Sequence, residues 1–149
     1  MARGKEHFSD YSLLEHEADI GIRGIGDCWE CAFVGAAKAL LEVMADPASV
    51  GRARDYKMTV RGHDLGALFV SWLNELLFLR DTENMLFSEC DARIEQDKDG
   101  LYTLNAVAWG EELSPEKHDL KIEVKAATFS GLRWGEEEGR RFVQCLLDV

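Results

Sequence analysis

Residues 18–44 read ADIGIRGIGDCWECAFVGAAKALLEVM, and this stretch decides the fold class of the chain. Ile20 and Ile22 stand at alternate positions, which is the period of a strand with one buried face. A helix is predicted next, because Asp27 can cap its N-terminus, Glu30 follows three residues later, and apolar residues then recur at helical spacing. The segment therefore predicts a strand followed by a helix.

A second strand and a second helix follow in the same order. Tyr56, Met58 and Val60 alternate with polar residues, which predicts a half-exposed strand. Asp64 is expected to cap the next helix, whose broad apolar face extends to Phe78. We expect this second helix to be the most buried element of the protein.

The second half of the chain is typical of a sheet. Residues 87–96 and 101–109 flank a turn-forming DKDG sequence, which predicts a hairpin. Alternation over 122–126 predicts another strand. A last hairpin is expected around the acidic turn at 135–139, with its final strand over 141–149.

The order of these elements predicts an α+β fold, with two helices packed on a largely antiparallel sheet. A chain of 149 residues has the usual size of one domain and is long enough to bury a core. We therefore expect a single domain over residues 1–149.

The charge balance limits the partners that the protein can have. The chain has 28 acidic and 17 basic residues, a formal net charge of −11, and this field repels phosphate backbones. Stable, unaided binding to nucleic acid is therefore not expected. The longest apolar stretch, 65–79, is too short to cross a bilayer and is interrupted by Asn74 and Glu75, and no secretory signal is recognisable at the start. We expect a cytoplasmic protein that does not bind membranes.

Three residues at the start of the first strand can bind a cation or a proton. In an extended chain Glu17 and Asp19 share one face, while His16 takes the other. One interpretation is that these are solvated strand-entry residues and that Asp19 caps a turn. The other is that they form part of a cation site.

The C-terminal end carries a second acidic group. Asp148 precedes Val149, so two carboxylates stand one residue apart, and such hard oxygen ligands suit Mg²⁺, Ca²⁺ or Mn²⁺. A frayed, solvated tail is the alternative. The apolar pattern of the preceding residues continues almost to the end, which favours a packed tail that holds its carboxylates in place.

Cys28 and Cys31 form a C-x-x-C motif at the start of the first helix. A helix N-terminus stabilises a thiolate, so the motif is compatible with a thiol redox factor, although Cys31 falls among the apolar positions and packing is the alternative. Cys90 and Cys145 stand alone and supply no second pair at zinc-finger spacing. Because the chain can bury a core without staples, we expect free thiols throughout.

Three segments taken together resemble the archease family. They are EHEADIGI at 15–22, SWLNELLF at 71–78 and EVKAAT at 123–128, followed by the terminal Asp148-Val149. The similarity runs in order from about Tyr11 to the end of the chain. Two departures stand out: the family's usual Thr after the histidine is Glu17, and its aromatic-His pair after the KAxT run is replaced by 129–130, Phe-Ser.

This resemblance implies an accessory protein for an RtcB-type RNA ligase, which joins RNA ends in tRNA splicing and RNA repair with GTP and a divalent metal. Archeases promote the guanylylation and multiple turnover of the ligase and are not ligases themselves. The family fold is an α+β unit of strand-helix-strand-strand type with an insertion.

The family's metal-binding residues carry over to Asp19, Asp148 and the carboxylate of Val149, with Ca²⁺, Mg²⁺ or Mn²⁺ as the implied ion. His16, Glu17 and Lys125 are expected as neighbours of the metal or as contacts with the partner; they complete the candidate set. Two alternatives remain open: a modulator or chaperone of another RNA-modifying enzyme, such as a tRNA methyltransferase, and the C-x-x-C redox factor.

Overall fold

The computed structural model describes residues 8–15 and 19–149. These residues form two α-helices and eight strands. The helices are α1 (Trp29–Met44) and α2 (Leu65–Glu83). The strands are β1 (Ser9–Glu15), β2 (Asp19–Gly26), β3 (Arg54–Gly62), β4 (Met85–Gln96), β5 (Tyr102–Glu112), β6 (Ala126–Ala127), β7 (Arg133–Glu137) and β8 (Arg140–Asp148).

The strands divide into two sheets, and every pairing between the strands is antiparallel. One sheet has the order β1-β2-β8-β6. Its fifth strand, β7, pairs with residues 140–144 of β8, whereas β6 pairs with residues 147–148. The other has the order β3-β5-β4. Both helices contact strands of both sheets, so the core lies around the helices. The predicted α+β class is confirmed, and the division into two sheets is the feature that the sequence pattern did not indicate.

The more buried helix is α1, which corrects the expectation made for α2. Twelve of the 16 residues of α1 are buried, against nine of the 19 residues of α2. Phe78, expected on the buried face of α2, is 57% exposed. The reason is that small residues let α1 lie against β2, where side chains at Gly24 and Gly26 would overlap the helix.

The cap of α1 also differs from the prediction. Cys28 is the N-cap, and its Sγ accepts a hydrogen bond of 3.1 Å from the Cys31 N–H. The Asp27 carboxylate instead accepts from the Phe8 N–H at 2.7 Å, and Glu30 accepts from the Ile94 N–H at 3.2 Å. Asp27 thus bonds to the residue before β1, and Glu30 attaches α1 to β4. Asp64 caps α2 as predicted and accepts from a backbone N–H.

The expectation of free thiols is wrong for two of the four cysteines. Cys28 and Cys31 are joined in a disulfide across the first turn of α1. Cys90 and Cys145 are free and buried.

The strand predicted over 122–126 is wrong except at its end, where β6 covers two residues. The N–H groups of Lys121 and Ile122 donate instead to the carbonyls of Met44 and Val43 at the C-terminus of α1. The backbone of this segment therefore bonds to a helix end rather than to a strand, and Ile122 is 41% exposed although Val124 is buried.

Both predicted hairpins are present, β4–β5 and β7–β8. Gly100 and Gly139 take φ angles of 91° and 80° in their turns, which glycine adopts without strain. Strand β1 was not predicted.

Neither helix in the described part of the chain is long and apolar enough to cross a membrane.

Candidate functional site

The two acidic residues singled out from opposite ends of the sequence face each other in the five-stranded sheet. Asp19 begins β2, Asp148 ends β8, and the two are register partners in the antiparallel ladder. The Cβ atoms of such partners lie about 4.5–5.5 Å apart on the same face of a sheet. Like charges at this distance destabilise a ladder, and a bound cation would remove that repulsion.

The core side of the same ladder fixes this orientation. The next register pair is Ile20 with Leu147, and both pack into the core, where Leu147 is fully buried. Because successive side chains alternate across a strand, Asp19 and Asp148 point away from the helices. Asp148 is exposed and Asp19 is half-buried, so the pair is open to solvent.

Strand β6 extends this row on the other side of β8. Ala126 is the register partner of Asp148, so a small side chain stands beside the carboxylate pair. The N–H of Lys125 donates to the Asp148 carbonyl at 2.8 Å, which fixes the backbone of that exposed lysine next to the acids. Val149 packs partly buried against the core. The tail is therefore held in place rather than frayed.

Asn74 of α2 positions β6, a role that sequence reasoning missed. Its side-chain amide donates to the Ala127 carbonyl at 3.0 Å, and its oxygen accepts from the Ala127 N–H at 2.9 Å. The Asn74 side chain thus makes the two backbone hydrogen bonds to β6 that an adjacent strand would otherwise make. The signal in the sequence was a polar residue set among the apolar positions of a buried helix.

His16 and Glu17, the other candidates near this site, lie outside the described residues. Within 8–15 and 19–149, no three His, Cys, Asp or Glu side chains are close enough together to hold a metal ion. The donor chemistry of the pair nevertheless fits a hard divalent cation, because Mg²⁺ is often held by one or two carboxylates and completes its shell with water. Asp19 and Asp148 are the side chains that would hold it.

A second polar cluster has a structural role. His118 is 2% exposed, and its Nδ1 accepts from the Ser114 N–H at 2.9 Å while its Nε2 contacts Glu111 at 2.8 Å. Glu111 also accepts from the Gly51 N–H and from Lys117. These contacts give His118 a structural role in joining the loop after β5 to Glu111.

Two antiparallel sheets packed around two helices place this protein in the α+β class. The profile of the Archease protein family (MTH1598/TM1083) matches residues 11–149. The chain is 42% identical over 136 residues to "Protein archease" of Pyrococcus furiosus, covering 91% of this chain and 95% of that protein. The chain therefore belongs to the archease family.

Solved structures agree with this assignment. The solution structure of Methanobacterium thermoautotrophicum protein 1598 matches with a TM-score of 0.78 and 32% identity, over 93% of this chain and 98% of that one. The crystal structure of an archease, "possible chaperone", from Thermotoga maritima matches with a TM-score of 0.58 and 17% identity, over 91% and 94%. The second likeness concerns the fold alone.

Proposed function

We propose that this protein is a cytoplasmic accessory factor that promotes guanylylation and multiple turnover of an RtcB-type RNA ligase in tRNA splicing or RNA repair. Membership of the archease family supports an accessory role. The observation that carries the proposal is the register pairing of Asp19 with Asp148, which brings two acids 129 positions apart in the sequence to one face of a sheet.

The proposed site consists of the Asp19 and Asp148 side chains and the carboxylate of Val149. Oxygen ligands of this kind suit Ca²⁺, Mg²⁺ or Mn²⁺. A divalent ion held there would supply electrostatic stabilisation of charge on a phosphoryl group. Lys125, exposed beside the acids, is the cation that would contact the partner or its nucleotide.

The net charge supports docking on a ligase rather than on RNA. An acidic surface meets a basic, RNA-binding enzyme with complementary fields, which increase the rate of encounter. Burial of the site at such an interface would exclude water and strengthen the effect of its charges on the partner's reaction.

The carboxylate pair can be tested with purified ligase, followed over several turnovers with and without this protein. Asp19→Asn and Asp148→Asn each keep the shape of the side chain and remove its charge, so each should lower the stimulation about tenfold or more. Asp55→Asn is the matched control, because Asp55 is an exposed strand aspartate of the other sheet. Full stimulation by either site variant would contradict the proposal.

Metal binding has its own readout in the melting temperature. Mg²⁺, Mn²⁺ or Ca²⁺ should raise the Tm of the parent protein and of Asp55→Asn, because a ligand of the folded state stabilises it. The same ions should leave the Tm of Asp148→Asn unchanged. Equal shifts in all three proteins would remove Asp148 from the metal site even if ligation were still stimulated.

The role of the Val149 carboxylate is tested by comparing a C-terminal tag with an N-terminal tag. A short C-terminal extension converts this carboxylate to an amide, whereas an N-terminal extension of equal length leaves it intact. Loss of stimulation is expected for the first protein alone. If both forms stimulate ligation equally, the terminal carboxylate has no part in the site.

A chaperone or modulator of another RNA-modifying enzyme, such as a tRNA methyltransferase, is the second candidate. Membership of the archease family supports an accessory role of this kind as well. This role predicts co-purification with that enzyme and no effect on multiple-turnover ligation.

A further inference from the structure

The disulfide at the start of α1 is not used by the proposed accessory function. Cys28 and Cys31 are bonded across one helical turn, whereas Cys90 and Cys145 are free and buried. The closed loop is very short, and stabilisation by a cross-link grows with the length of the loop that it closes. The helix is already buried on most of its surface, so a structural staple explains little here.

The two sulfurs differ in access. Cys31 is fully buried, and its carbonyl accepts from the Ser9 hydroxyl at 2.9 Å, while a side chain added at Gly26 would overlap it. Cys28 is partly buried at the helix N-terminus. Of the two cysteines, Cys28 is therefore the one that a thiol from outside the protein meets first.

Cys28 stands at a helix N-terminus with two arginines nearby. Its Sγ already accepts from the Cys31 N–H, and the positive end of the helix dipole lies at this position. Arg141 donates to the Asp27 carbonyl at 3.1 Å and stacks over the Trp29 ring, so its positive charge lies against both neighbours of Cys28. Arg140 approaches the Asp27 carboxylate at 3.4 Å.

We propose that Cys28 and Cys31 form a redox-active pair that exchanges electrons with dithiols and disulfides. In the reduced protein Cys28 attacks a substrate disulfide, and in the oxidised protein its sulfur is the one attacked; Cys31 is the resolving thiol. A C-x-x-C motif at the start of a helix that follows a strand is an arrangement suited to this chemistry. The inference is independent of the metal site and of the ligase.

The exchange balances in two steps. A thiolate of a dithiol reductant attacks Cys28 Sγ, the Cys28–Cys31 bond breaks, and Cys31 leaves as a thiolate that takes up a proton. The second thiol of the reductant then loses its proton and attacks the reductant's other sulfur, which is bonded to Cys28 in the mixed disulfide. This step releases Cys28 as a thiolate. The protein gains two electrons and the reductant becomes a disulfide.

The test equilibrates the full-length protein in buffers of reduced and oxidised dithiothreitol, then in glutathione buffers, followed by acid quenching, alkylation and mass spectrometry. The Cys28–Cys31 pair should change reversibly between dithiol and disulfide in the folded protein. Cys90 and Cys145 are internal controls, because burial raises the pKa of each thiol to about 12. A pair that dithiothreitol cannot reduce, or that oxidised glutathione cannot re-form, would overturn the proposal.

Two variants test which sulfur attacks. Cys31→Ala leaves Cys28 alone and should form a mixed disulfide with oxidised glutathione at least about tenfold faster than Cys28→Ser, in which Cys31 remains buried. Serine is a good N-cap, so Cys28→Ser keeps the helix start. Equal rates would overturn the assignment, and the redox titration of the unmodified protein does not depend on either variant folding.

Discussion

Glu111 is the residue whose ionisation is most clearly tied to the folded state. The hydrogen bond from the Gly51 N–H, followed by those from His118 and Lys117, lowers the pKa of Glu111 from its ordinary value of 4.5 to about 2. These contacts attach the end of β5 to the loop before β3 and to the buried imidazole of His118.

The pH dependence of stability should follow from this lowered pKa. A carboxylate with a pKa below its unfolded value stabilises the folded state fully above about 4.5 and loses that contribution as the pH falls towards 2. Glu111→Gln should therefore lower the free energy of unfolding at pH 7. Near pH 2–3 the free energy of unfolding of this variant should approach that of the parent protein. Urea denaturation at both pH values measures the difference; a gap of equal size at both would contradict the assignment.

Candidate site residues could be selected from the sequence where they stood in a recognisable segment. Asp19, Asp148 and Lys125 were selected in this way, and the ladder brings their backbones together. The role of Asn74 could not be predicted, because it depends on a contact with β6 more than 50 residues away. The disulfide was missed because composition alone argued against staples.

At the scale of elements, the close approach of α1 to β2 fixes the layering of the domain. A Cβ at Gly24 would overlap the Ala32 carbonyl oxygen and the Ala36 nitrogen of the helix backbone. The helix can lie this near to the strand because that position carries no side chain, and neither backbone can move aside without disturbing its own hydrogen bonds.

Gly24→Ala should accordingly destabilise the protein by about 1–3 kcal/mol or more, the usual cost of overpacking. Gly135→Ala is the matched control in the same sheet, because its Cβ would first meet the Phe142 ring at 3.4 Å, an ordinary contact. It should stay within about 1 kcal/mol of the parent protein. Urea denaturation compares the two, and a Gly24→Ala protein as stable as Gly135→Ala would show that α1 can shift.

Elements with strong local patterns were predicted well, and the others were not. The helices and the two hairpins carry caps, turn residues and apolar periodicity within one short window. The conformations of strand β1 and of segment 121–125 depend on contacts with other parts of the chain. β1 is the outer strand of its sheet, and the backbone N–H groups of Lys121 and Ile122 donate to carbonyls at the end of α1.

For the molecule as a whole, the net charge of −11 is the property that a partner meets first. If docking on the ligase depends on complementary fields, screening should weaken it. Raising the salt concentration from about 0.1 M to about 1 M shortens the Debye length from about 10 Å to about 3 Å.

More of this protein should then be needed for half-maximal stimulation of ligation at high salt. A titration at each salt concentration, corrected for the ligase alone, measures the change. An unchanged half-maximal concentration would mean that apolar contacts, rather than charge, hold the two proteins together.

The position of β8 has a consequence for biosynthesis. This strand is the last one in the described chain, yet it lies between β2 and the β6–β7 edge. A nascent chain on the ribosome can therefore form the β3-β5-β4 sheet early. Strand β2 can pair with β1, but its second neighbour, β8, comes more than a hundred residues downstream. Asp19 and Asp148 become neighbours only when translation has delivered β8, so a polypeptide released before that point lacks the carboxylate pair of the proposed site.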